Sequence, residues 1–131
     1  MIQANELRIG NILKPINSRY NEQFIVVENI ALDEVNYNFK PYSLDALQPI
    51  PITPEILEKC GFKQVVVFEG INTNVYELNK FEIGRDGLDF VNMEMTIIID
   101  KSLTLKVKYL HELQNIYYWY TNKQELKITL P

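Results

Sequence analysis

Three prolines within six residues, Pro49, Pro51 and Pro54, constrain this chain more than any other feature. Proline has no backbone N–H, fixes its own φ, and biases the residue before it away from the helical region. No continuous helix or central strand can cross such a stretch. Leu44 to Ile52 therefore reads as an extended connector, and it suggests a division into residues 1–52 and 53–131. At 131 residues the two parts can be lobes sharing an interface or one compact domain.

Beyond the connector, start and stop signals for a short helix agree. Thr53 can cap, Pro54 suits the first helical position, and Ile52 and Leu57 stand at the two positions of a hydrophobic staple. Gly61 suits the left-handed residue after a helix end, which brings Phe62 back onto Leu57. A helix over 54–60 follows.

The amino-terminal part reads as short strands. Leu7 to Leu13 is one candidate, with Gly10 marking a bulge or a close backbone approach. A polar turn at 17–21 precedes the β-branched run Phe24 to Ile30, and Tyr37 to Tyr42 is a third strand that Pro41 confines to an edge. Together these predict a small, bent, barrel-like β lobe.

In the second part, residues 64–69, 75–78 and 81–83 read as strands, with Gly70 to Asn74 as the turn between the first two and Gly84 to Gly87 as a hairpin turn. Met93, Met95, Ile97 and Ile99 alternate with Glu94 and Thr96; Leu103, Leu105 and Val107 alternate with Thr104, Lys106 and Lys108; and 100–102 joins the two runs. That is the pattern of an antiparallel hairpin with one wet face. From Tyr109 the period becomes helical: Tyr109, Leu110, Leu113, Ile116, Tyr117 and Tyr120 share one arc, predicting a helix over about 109–121 that lies on the sheet. Asn122 stops it, and 124–130 alternates weakly enough for a last strand. The fold class expected is α+β, a small β lobe followed by an antiparallel sheet packed with one short and one long helix.

Composition narrows the functions. Thirteen Lys and Arg against 17 Asp and Glu give a net charge of −4, split evenly at 5 against 8 over residues 1–60 and 8 against 9 over 61–131. Neither half is a basic module, so the phosphate-neutralising term of nucleic-acid binding is weak. One cysteine excludes an internal disulfide, and one histidine argues against the common Cys/His zinc sites. No signal-peptide pattern opens the sequence, and no apolar run approaches the ~20 residues of a membrane helix. A cytoplasmic location without a membrane or cofactor is expected; the oligomeric state stays open.

Candidate chemistry is sparse. Cys60 falls at a helix C-terminus, where the dipole disfavours a thiolate, and reads as structural. Asp33/Glu34, Asp86/Asp89 and Asp100 read as solvated turns, and 84–87 has too few glycines for a phosphate loop. His111 falls off the apolar arc and reads as solvated or interfacial. The oddity is Tyr117-Tyr118-Trp119-Tyr120: four adjacent aromatics on a helix point all round it, leaving Tyr118 and Trp119 outside the arc. Either another part of the chain covers them, or His111, Asn115, Tyr118 and Trp119 form an exposed aromatic patch for a protein partner. Stacking on a single-stranded nucleic acid, with Lys106 and Lys108 nearby, is a weaker alternative, and an enzyme with an unrecognised site is a third.

Three blocks carry a resemblance: Asn5-Glu6-Leu7-Arg8-Ile9-Gly10-Asn11; Leu47-Gln48-Pro49-Ile50-Pro51-Ile52-Thr53 with Ile56-Leu57 and Cys60-Gly61-Phe62-Lys63; and Lys108-Tyr109-Leu110-His111-Glu112-Leu113-Gln114-Asn115-Ile116-Tyr117. In this order they resemble a family of small uncharacterised proteins of Bacteroides-type bacteria, their phages and integrated elements. The resemblance implies an accessory role in a phage or mobile-element setting and assigns no residue a function. Similar proteins close the last helix with Thr-Gly; here Asn122 follows Thr121, and asparagine can adopt the same left-handed turn.

Overall fold

The computed structural model describes residues 2–16, 24–68, 71–85 and 95–129. The expected turn at 17–21, Asp86, Gly87, Asp89 and Met93 lie outside them. The chain divides into two compact units, Met1–Pro51 with Tyr109–Leu126, and Ile52–Lys108 with Lys127–Pro131. The first boundary falls in the proline connector. The long helix belongs to the first unit, whereas the sequence assigns it to the second.

In the first unit, β1 (Ile12–Pro15) pairs antiparallel with β2 (Ile25–Val26) and with β6 (Leu47–Gln48). A second three-stranded sheet joins β3 (Asn29–Ile30), β4 (Glu34–Tyr37) and β5 (Lys40–Ser43) in that order. Two small three-stranded sheets, not closed into a barrel, stand where the sequence suggested a barrel-like lobe. The single strand expected at 24–30 is split, because β2 and β3 belong to different sheets. The strand expected at 37–42 is instead a hairpin, turned at Asn38 and Phe39 with φ of 53° and 64°. Such paired left-handed residues match the twist of adjoining strands, and phenylalanine is an unusual residue to hold one of them. Pro41 does sit on an edge strand, where a missing donor is harmless. The core of this unit gathers Ile2, Leu13, Ile25, Val27, Val35, Tyr42, Leu44 and Leu47.

In the second unit, α1 (Pro54–Lys59) forms as its signals require. Thr53 Oγ1 accepts from the Ile56 N–H at 3.2 Å, Gly61 is left-handed (φ 93°), and the Phe62 N–H donates to Leu57 C=O at 3.0 Å. The sheet is a five-stranded antiparallel meander of β7 (Lys63–Phe68), β8 (Ile71–Leu78), β9 (Phe81–Arg85), β10 (Met95–Ile99) and β11 (Leu103–Val107). The alternation read from sequence appears directly: Met95, Ile97 and Ile99 are buried, and Thr96 and Ile98 are half-buried. Asp100 and Lys101, both at positive φ, make the tight turn into β11. Among the described residues no last strand forms: 124–129 run as irregular chain, with the Thr129 N–H bonded to Lys59 C=O.

α2 (Leu110–Tyr120) starts at Tyr109, whose N–H donates to Glu112 Oε1 at 2.9 Å. It ends through Asn122 and Lys123 in left-handed geometry, with the Lys123 N–H on Tyr118 C=O. Asn122 thus takes the turn its side chain permits. The buried side chains of α2 are Leu110, His111, Leu113, Gln114 and Tyr117, while Tyr120 is exposed. At about 100° per residue the buried face is rotated by roughly 80° from the apolar arc, toward His111 and Gln114. Two polar residues lie on the buried side because the neighbouring segment offers them partners.

Candidate functional site

That segment is residues 6–12, which precede and enter β1. The Gln114 side chain, 2% exposed, accepts from the Ile12 N–H at 2.9 Å and donates to Gly10 C=O at 3.0 Å, mimicking a strand partner. Asn115 Oδ1 accepts from Asn11 Nδ2 at 2.7 Å and from Arg8 Nε at 3.3 Å, and its Nδ2 donates to Glu6 C=O at 3.1 Å. Asn11 Oδ1 in turn accepts from the Arg8 N–H at 2.7 Å. The irregular path of residues 7–11, where the sequence suggested a strand, is thereby satisfied by these side chains together with backbone bonds, the Gly10 N–H to Val27 C=O and the Val27 N–H to Asn11 C=O, both at 2.8 Å.

The Arg8 guanidinium grips both Glu125 carboxylate oxygens and lies 4.0 Å from the centre of the Tyr118 ring. Tyr118 meets Trp119 edge-to-face, ring centres 5.6 Å apart. Trp119 is 65% exposed and Tyr120 is 42% exposed beside it. Gly10 is required by its backbone, whose φ is 99°; a methyl group there would meet Glu125 Oε2 at 3.4 Å and Arg8 Nη1 at 3.7 Å, ordinary contact distances. Gly10→Ala is expected to cost about 1–2 kcal/mol from backbone strain, read as a lower urea midpoint at unchanged slope.

His111 is corrected from a surface residue to an interior one. It is 2% exposed, with Nε2 3.3 Å from Glu6 Oε1, and its ring stacks on Tyr109 at 6.0 Å. Its Nδ1 is buried without a hydrogen-bond partner. Burial pushes the imidazole below its ordinary 6.5, while the charges of Glu6 and Glu112 and the hydrogen bond to Glu6 pull the other way. Of the four candidate residues, Trp119 is open to solvent, Tyr118 is half-covered by Arg8, Asn115 is engaged in the clasp, and His111 is inside.

Burial pushes the Cys60 thiol up to about 12, so it is a thiol at any physiological pH. Among the described residues, no three His, Cys, Asp or Glu side chains converge as metal ligands, and no helix is long and apolar enough to cross a membrane. A groove of about 450 Å³ in the first unit, lined by Ile2, Ala4, Leu32, Asp33, Leu44 and Asp45 among others, includes none of the four candidates.

The chain matches no family model, no curated protein and no solved structure.

Residues that pattern alone missed are Glu6, Arg8, Asn11, Gln114 and Glu125. A signal did exist for Gln114, which lies four residues after Leu110 and three before Tyr117, on the row where a helix places neighbours.

Proposed function

We propose that this protein is a non-enzymatic accessory factor that acts through contact with another protein, and that Trp119 is the anchor of that contact. The observation that supports it is the open tryptophan on a preorganised base: Trp119 is 65% exposed, yet its neighbour Tyr118 is pinned under Arg8. Large aromatic side chains held rigid before binding lose little entropy on association and serve as interface hot spots. Tyr120, also exposed, widens the apolar surface. The phage or mobile-element setting implied by the family resemblance belongs to the same proposal.

Trp119→Ala is expected to change stability by less than about 0.5 kcal/mol, since little of the side chain is packed, and to abolish partner capture. A photo-crosslinking side chain placed at position 119 in cells should yield one discrete adduct. No adduct, with position 119 freely quenched by iodide in the purified protein, would remove the proposal. Quenching that falls as protein concentration rises would identify the partner as a second copy of the chain.

A further inference from the structure

We infer that the His111–Glu6 pair is an acid-sensitive latch, in which protonation of the buried ring loosens the clasp between residues 6–11 and α2 and so disturbs the base on which Trp119 stands. With Nε2 facing Glu6, the neutral ring keeps its proton there and leaves Nδ1 as a bare lone pair. A bare acceptor in the interior is tolerable. A second proton makes Nδ1 a buried charged donor with no acceptor, which folded structures avoid. The charged groups around the ring are few. Glu6 faces it from the amino-terminal segment and favours the cation, but this carboxylate is partly wet. Glu112, on the same helix, already accepts from the Tyr109 N–H, and the Tyr109 ring covers His111 by stacking. Arg8 is held by Glu125 and Asn115.

The direction follows from linkage. The ring takes a proton less readily in the clasp than in the released chain, where its value is 6.5. Stability from this pair is therefore complete above 6.5 and is lost as the pH falls below it. Glu6 belongs to the segment that supplies Arg8, and Arg8 covers Tyr118, so the mechanical path to Trp119 is short.

The chain contains one histidine and one tryptophan, so both ends of the latch can be read without labels. Between about pH 8 and 5, the range where histidine titrates, the Cε1–H resonance of His111 should give a midpoint below 6.5. Trp119 emission and amide exchange over residues 8–12 should change with that same midpoint, and His111→Gln should flatten both. A midpoint at or above 6.5 overturns the latch. So does an emission profile that stays flat through the histidine titration, or one that persists in His111→Gln. If His111→Gln does not fold, Glu6→Gln provides the test: losing the carboxylate should move the His111 midpoint further down, and an unmoved midpoint also overturns the inference.

Discussion

Gln114→Leu is expected to destabilise the protein by about 3 kcal/mol, nearly as much as Gln114→Ala, although leucine preserves most of the volume. The amide satisfies two backbone groups, the Ile12 N–H and the Gly10 C=O, at a site that is 2% exposed. Removing one partner of a buried hydrogen bond leaves the other unpaired, at about 1–3 kcal/mol for each group. A cavity effect would instead separate the two variants, with alanine much the worse. Urea denaturation of both decides the matter. A leucine variant as stable as the parent would show that these backbone groups find other partners, and the clasp would lose its central bond.

Phe81→Ala should be at least as damaging, at about 3–5 kcal/mol. Phe81 opens β9, the middle strand of the five-stranded meander, and is fully buried. It stands opposite Leu78 on one side and Ile99 on the other, on the face that also holds Ile83 and Ile97. Neighbours fixed on strands at both sides cannot collapse into the space, so the cavity term adds to the lost transfer energy. Differential scanning calorimetry should show the loss directly. A cost under about 1 kcal/mol would mean that the sheet face relaxes far more than a packed interior does.

Much of the second unit was legible because its elements advertise themselves locally, but β8 already begins at Ile71 and β9 runs on to Arg85, where the sequence suggested turns. Thr53, Pro54, Gly61 and Phe62 determine α1 through neighbours only, and the alternation of Met95 to Ile99 needs nothing but a sheet with one buried face. The first unit was legible only in part. The strands of its sheets are two to four residues long, shorter than a period-2 pattern needs to declare itself, and the Asn38–Phe39 turn has phenylalanine where a hairpin signal would have glycine. The orientation of α2 failed for a different reason. Hydrophobic periodicity assigns polar residues to water, whereas Gln114 and His111 face inward because residues 6–12, far away in sequence, supply hydrogen-bonding partners. Of the candidate patch, Trp119 was readable as a surplus aromatic. The role of Arg8 in covering Tyr118 was not, since nothing in either segment points to the other.

The Gln114 bond to Ile12 spans 102 residues, and this has a consequence for synthesis. A ribosome adding about 5–20 residues per second needs on the order of 10 s between making the first partner and the second. Throughout that interval the Ile12 N–H and the Gly10 C=O lack their Gln114 partner, although the strands between residues 12 and 48 can already pair with one another. The sheet of residues 63–107 is emerging in the meantime. Closure of the clasp is therefore gated by the translation of α2.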